Sequence, residues 1–361
     1  MKDSAEKPAL APRLPLVDAV RAGLASIIAW HHFLLYGPLG EQLAAGEKSS
    51  TAWLLNYRWV VPAFFVISGF VMSRGMMPAT WPLRHVGIFV VRRYCRLGLP
   101  YLAAIGLAVL AAGIARPSLA DDVLGHPPTL PQLAAPVLFL QDILGYQALS
   151  AGLWFVCIDF QLSLLLAGLL FVRDAVDGRR ALRRETNRGT FVLFALGWLL
   201  ALASLFYFNL VATNDVWATY YFGYFFLGML LFDSMVRPDR PKQFAGYLAA
   251  IGAALWYAWR WRLMVAALSG AGLYLADRTG LIARWPRSRV VAYLGRTSYS
   301  LFLVHYPVLL VVEACWVRFH WTTTRGSLCG LATAYLASLL VADVFYRWVE
   351  RPAARLSHRF A

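Results

Sequence analysis

An all-α, polytopic membrane protein of about ten helices, with both termini cytoplasmic, is the fold class this sequence predicts. Three observations predict it. The 361 residues are 60% hydrophobic and only 15% charged, with a mean hydropathy of +0.56. Apolar runs long enough to cross a hydrocarbon layer of about 30 Å recur along nearly the whole chain. Basic residues crowd onto alternate connections between those runs. No shift in composition marks off a soluble domain. The expected organisation is a cytoplasmic N-terminal tail over 1–15, one transmembrane domain over 16–348 and a cytoplasmic C-terminal tail over 349–361. The opening "MKDSAEKPALAPRLP" has no A-x-A-type site behind a short apolar core, so it is not read as a removed signal peptide.

The runs lie at 17–38, 59–77, 97–115, 153–172, 190–212, 217–235, 244–259, 263–276, 298–317 and 327–346. Two places bear on the count. "LPQLAAPVLFLQDILGY" (130–146) is short and holds two prolines, which suits an interfacial or re-entrant helix. "YAWRWRLMV" puts Arg260 and Arg262 in a very tight turn between the seventh and eighth runs. With the N-terminus in the cytoplasm, 27 of the 34 Lys and Arg residues fall on the cytoplasmic segments and 7 on the opposite ones. That is the positive-inside pattern. The net charge of +15 is therefore topology, and no nucleic-acid partner is expected. The four cysteines (Cys95, Cys157, Cys315, Cys329) lack metal-ligand spacing, so neither a disulfide framework nor a metal site is expected.

An ionisable residue inside a transmembrane helix costs about 2.5–3.5 kcal/mol on insertion scales, which makes each one a functional candidate. The first run holds Asp18, Arg21, His31 and His32, and the fourth holds Asp159. The ninth holds His305 and Glu313, and the tenth Asp343. Asp233, Arg74 and Glu350 lie near run ends, where a side chain reaches the surface, and rank lower. Eleven residues separate Arg21 from His32. That spacing turns a helix by about 1100° and advances it by about 16 Å, so both share a face yet cannot bond to each other. They can meet two parts of one long ligand, such as an extended thioester arm. His31 is rotated by about 100° and faces elsewhere. Histidine suits proton transfer near neutral pH, and Asp159 is the carboxylate best placed in sequence to orient the imidazole. A plain helix–helix hydrogen bond is the competing reading of His32. In "VVRRYCRLGLPYL" (90–102), Arg93 and Arg96 are neighbours on a helix surface. Guanidinium forks suit phosphate, while ordinary positive-inside anchoring also accounts for them.

Several motifs, in order along the chain, resemble those of the acyltransferase-3 family of integral-membrane O-acyltransferases. "LVDAVRAGLASIIAWHHF" is similar to its opening L-D-x-x-R…H element, and "VPAFFVISGFVMS" (61–73) to its F-F-x-[IL]-S-G-F segment. "RRYCRLGLPYL" resembles R-R-x-x-R-[IL]-x-P-x-[YF]. "GLWFVCIDFQL" (152–162) resembles W-x-[LF]-x-x-E-x-x-[FY], with Asp159 in place of the glutamate. "YFGYFFLGMLL" (221–231) is similar to F-x-x-G-x-x-L, and "LGRTSYSLFLVHYPVLL" (294–310) to L-G-x-x-S-Y-x-[LI]-Y-L-x-H-x-P. "FYRWVERPAARL" (345–356) resembles the terminal [LV]-E-[KR]-P.

The resemblance implies an enzyme of the bacterial inner (cytoplasmic) membrane. Its donor would be acetyl-CoA or another short acyl-CoA, used from the cytoplasm without a metal. Its acceptor would be a hydroxyl of a cell-surface or lipid-linked glycan, such as an exopolysaccharide repeat unit, with possible contact to polysaccharide assembly proteins. His32 would be the general base and Arg21 its catalytic companion, with Asp159 assisting. Arg93 and Arg96 would hold CoA phosphates, and Ser68 and Gly69 would pack along the acyl arm. His31, Ser298, Tyr299, His305, Pro307 and Glu313 would shape the site. A multi-helix transporter and a non-catalytic scaffold of a polysaccharide export system are the alternative readings.

Overall fold

The structure is a computed structural model that describes residues 13–46, 60–178, 188–237, 241–321 and 323–360. Most of the expected N-terminal tail and the arginines Arg179, Arg180, Arg183, Arg184 and Arg240 lie outside the described residues, as do Lys48 and Arg58. Among the described residues every regular element is helical. In chain order these are α1 (Pro15–Leu35), α2 (Pro38–Gly46), α3 (Val61–Met76), α4 (Leu83–Arg93), α5 (Leu99–Ala115), α6 (Asp121–Leu124), α7 (Leu130–Ala134) and α8 (Trp154–Asp177). They continue with α9 (Arg188–Phe206), α10 (Ala218–Val236), α11 (Lys242–Tyr257), α12 (Trp261–Arg278) and α13 (Leu281–Arg284). α14 (Arg289–Arg318), α15 (Thr324–Phe345) and α16 (Arg351–Ser357) complete the chain. All ten apolar runs fall on helices: α1, α3, α5, α8 to α12, α14 and α15.

Among the described residues, five helical stretches are long and apolar enough to cross a membrane: 83–115, 154–177, 188–210, 289–318 and 324–360. Much of their outward surface is apolar. Leu110, Ile114, Phe191, Leu199, Leu336 and Leu340 are all more than 60% exposed, a surface suited to lipid rather than water. Trp256, Tyr257, Trp259 and Trp261 stand exposed around the α11–α12 turn, the amphipathic aromatics that favour a membrane–water boundary. In that turn Arg260 donates to the carbonyls of Leu205 (2.8 Å) and Ala254 (3.0 Å), which supply its guanidinium with acceptors. The turn therefore separates two helices.

The segment 130–146 is not a span. α7 gives way to a 3-10 turn at Ala135–Leu138, and Phe139 takes a left-handed conformation with φ 58°. Its ring is buried and stacks on Phe160 with centroids 4.4 Å apart. The Gln161 side chain donates to the Phe139 carbonyl at 3.2 Å. The chain thus dips into the bundle against α8 and returns.

Contacts between helices also report direction. α1 and α14 run the same way, since Asp18 lies by Gly295, His32 by His305, and Gly37 by Glu313. α3 and α10 run together, with Phe65 on Tyr221 and Phe70 on Phe232. α3 and α8 do likewise, through Phe65–Phe155 and Ser68–Asp159. α15 opposes α1: Tyr335 pairs with Ser26, while Gly330, nearer the start of α15, meets Leu39 in α2, just beyond the end of α1. α3 and α10 approach most closely at two glycines. A Cβ on Gly69 would collide with the Phe225 carbonyl, and one on Gly228 with the Val66 carbonyl. Small residues of this kind are how membrane helices bring their backbones together.

Candidate active site

Two wide π turns build the lower half of the site, and both are explained by proline. Tyr94–Gly98 joins α4 to α5, and Pro100 has no N–H to give to the Arg96 carbonyl. Tyr346–Glu350 joins α15 to α16, and Pro352 likewise offers nothing to the Trp348 carbonyl. One π turn carries Arg96 and the other Glu350. α16, within the expected C-terminal tail, packs against the first turn and buries Ala353 and Ser357. Ser300 of α14 donates to Glu350 at 2.5 Å, and Tyr299 donates to the Leu97 carbonyl at 3.0 Å. Arg21 and Arg96 both act electrostatically on Glu350, and Arg21, Arg92 and Arg93 act on Arg96. Three of the expected residues, Arg21, Arg96 and Tyr299, therefore lie within electrostatic range of one carboxylate, Glu350.

The upper half is built by α1 and α14. His32 Nδ1 and His305 Nε2 are 2.6 Å apart, with stacked rings whose centroids are 4.9 Å apart. His305 is fully buried and His32 nearly so. His31 is buried beside them, its ring centroid 5.5 Å from that of His32. Gly152, at the foot of α8, closes over His32. Its φ of 80° is left-handed, and a Cβ there would sit 3.0 Å from His32 Cε1 and 3.3 Å from the Phe302 ring. Only glycine takes that conformation without strain at that distance. The two levels share α1, on which Arg21 precedes His32 by three turns.

Other expected site residues sit elsewhere. Asp159 does not reach the histidines. It accepts from Arg93 Nη2 at 2.5 Å and from the Ser68 hydroxyl, and both partners of the ion pair are largely buried. The hydrogen-bond partner of His32 is instead His305 on α14. Arg93 is correspondingly committed to Asp159, although its Nε is buried without a hydrogen-bond partner. Ser68 donates to Asp159, and the space beside Gly69 is taken by the α10 backbone. Ser298 donates to the Gly295 carbonyl of its own helix at 2.9 Å. Glu313 accepts from the Leu39 N–H at 3.4 Å and fills the space over Gly37, holding the start of α2. Asp343 is tied to Tyr293 and to Arg347, the latter at 2.7 Å.

Sequence reasoning missed Ser300 and Gly152 and set Glu350 aside. The signals were present in the E-[KR]-P element and in a glycine directly before a helix start.

The described residues form a helical bundle with buried histidines on one side of an arginine cluster. The chain belongs to the acyltransferase-3 family, whose model, described as an acyltransferase domain, matches residues 15–347. No curated protein and no solved structure matches the chain. The protein is therefore a membrane acyltransferase.

Proposed function

We propose that this acyltransferase moves a short acyl group, acetyl first among them, from cytoplasmic acyl-CoA to a hydroxyl of a surface or lipid-linked glycan at a bacterial inner membrane. The observation that carries this reading is the vertical order of the site, with the histidine pair about three turns of α1 above the Arg21–Arg96–Glu350 cluster. The 27-to-7 distribution of basic residues supports a cytoplasmic level for that cluster. The helix directions support a ten-span alternation with both ends in the cytoplasm: the first and ninth runs are parallel, and the first and tenth opposed.

The lower cluster fits the donor. Arg21 and Arg96 lie in the field of one carboxylate, Glu350, Arg92 adds its charge beside Arg96, and Arg93 is answered by Asp159. The surplus of guanidinium suits the phosphates of CoA, and planar forks bind them well. Glu350, fixed by the Ser300 hydroxyl, sets a negative charge in the field of Arg21 and Arg96. CoA supplies an activated thioester carbonyl. The chain's own residues deliver the acceptor oxygen to it. His32 Nε2 takes the hydroxyl proton as the oxygen attacks the carbonyl carbon, then returns a proton to the departing thiolate sulfur. The new C–O bond replaces the broken C–S bond, and the enzyme ends as it began. The doubled histidine leaves His31 to shape the acceptor side.

The test is purified full-length protein in nanodiscs with radiolabelled acetyl-CoA. Release of CoA thiol, slow without acceptor and lost in His32→Gln, is expected. Protein that binds a glycan and moves it between vesicle compartments without releasing thiol would be a transporter instead, and protein that does neither a scaffold.

A further inference from the structure

The contact between His32 and His305 fixes more than proximity. Two ring nitrogens 2.6 Å apart hold one proton between them, because a hydrogen bond needs one N–H and one lone pair. Which nitrogen carries it follows from the far side of His305. Its Nδ1 lies 3.2 Å from the Leu301 carbonyl, which can only accept. His305 Nδ1 is therefore the protonated nitrogen of that ring, and its Nε2 is a lone pair. That lone pair in turn requires the proton on His32 Nδ1, so His32 Nε2 is left bare. The opposite assignment would set His305 Nδ1 and the Leu301 oxygen against each other, two acceptors in a buried site. With both rings neutral, only one arrangement gives each contact a donor and an acceptor.

We infer that His305 is a positioning residue that holds His32 as the Nδ1–H tautomer, replacing the carboxylate that usually orients a catalytic imidazole. The inference rests on the general-base reading of His32. The chain of bonds runs from the Leu301 carbonyl through His305 to His32 and ends at a basic Nε2 beside Gly152. Pro307 lies two residues beyond His305 in α14, and its missing N–H interrupts the hydrogen-bond ladder next to the pair. When His32 Nε2 takes the hydroxyl proton, the Nδ1 proton can move onto His305 Nε2, so the charge is shared by two rings. No atom is gained or lost, and the shift reverses when the proton passes to the thiolate. An imidazole steadies this cation less than a carboxylate does, which suits a proton held only between attack and departure of the thiolate.

The geometry picks the variants. A glutamine carbonyl oxygen at position 305 falls close to where Nε2 lies and can accept from His32 Nδ1–H. An asparagine is one carbon shorter and reaches only the Nδ1 position. His305→Gln is expected to keep kcat within about tenfold of wild type, since one neutral hydrogen bond replaces another. His305→Asn and His305→Leu are expected to lose about 10²–10⁴-fold in kcat, the usual share of a general base, with KM for acetyl-CoA unchanged.

The direct readout is ¹⁵N NMR of histidine-labelled full-length protein in nanodiscs, with the His32 signals identified by their loss in His32→Gln. Wild type and His305→Gln should show His32 protonated at Nδ1, and His305→Leu should show a mixed or inverted tautomer. A His32 proton on Nε2 in wild type, or a tautomer indifferent to residue 305, overturns the inference whatever the activities are. The same holds if Asn and Leu at 305 turn over like Gln. If the tautomers are as expected but His32→Gln retains full acyl transfer, the general-base reading fails instead, and His305 positions a residue without a chemical task.

Discussion

Asp159→Asn separates a bracing carboxylate from a chemical one. The Arg93–Asp159 contact is 2.5 Å, with side-chain exposures of 13% and 12%. At an effective dielectric of 20 that distance corresponds to a gross attraction of roughly 7 kcal/mol, most of it offset by the cost of desolvating both ions. Removing one partner leaves the other charge buried and unpaired, which costs about 3–5 kcal/mol. The Ser68 hydroxyl loses its charged acceptor as well. Removing both charges, as in Arg93→Met with Asp159→Leu, should return most of that loss, because apolar replacement of a buried pair is often neutral. The assay is thermal unfolding followed by fluorescence-detected size exclusion, with acyl transfer normalised to folded protein. Asp159→Asn is expected to lower the unfolding temperature by several degrees while the folded fraction keeps substantial turnover. Unfolding at the wild-type temperature together with loss of turnover would refute the bracing account and return Asp159 to the chemistry. A double variant no more stable than the single one would refute it too.

Three further outcomes follow from the geometry. Gly152→Ala should cut kcat of the folded fraction by about 10²-fold, beyond any loss of folded protein from the left-handed backbone, since the new methyl meets His32 Cε1 at 3.0 Å and a misplacement of about 1 Å costs that much; steady-state kinetics on monodisperse protein checks it. Gly69→Ala should reduce the yield of folded protein rather than weaken donor binding, because the methyl meets the α10 backbone; size-exclusion recovery and the KM for acetyl-CoA of the surviving fraction distinguish the two. Glu350→Gln should raise KM for acetyl-CoA with a smaller change in kcat, since Ser300 keeps an acceptor while the Arg21–Arg96 cluster loses its carboxylate.

Residues that obey a period or a budget of polar groups were legible in the sequence. Arg21 and His32 share a helix because α1 is uninterrupted from Pro15 to Leu35, and their spacing follows from its pitch. The ten apolar runs fall on helices because burying a bare backbone in lipid allows little else. Pairings between distant segments were not legible. Nothing in "HH" or in "LFLVHYP" says that position 305 rather than Asp159 will face His32, since 273 residues separate the two histidines and the choice belongs to the α1–α14 packing. Gly69 looked like room for a ligand, but an absent side chain has the same appearance in sequence whether lipid, substrate or another helix takes the space. Glu350 looked like a helix-end residue, yet the π turn ahead of Pro352 swings it toward Ser300. Proline at positions 100 and 352 was the local cue, because a missing N–H distorts the turn before it.

Acyl transfer to a surface glycan is proposed to run through His32. Its most direct test is mass spectrometry of surface glycan from cells lacking this protein, complemented with wild type or with His32→Gln at equal membrane level. An O-acyl mass increment restored by wild type and absent with His32→Gln is the predicted result, and the increment identifies the acyl group. An increment restored in full by His32→Gln would contradict the account.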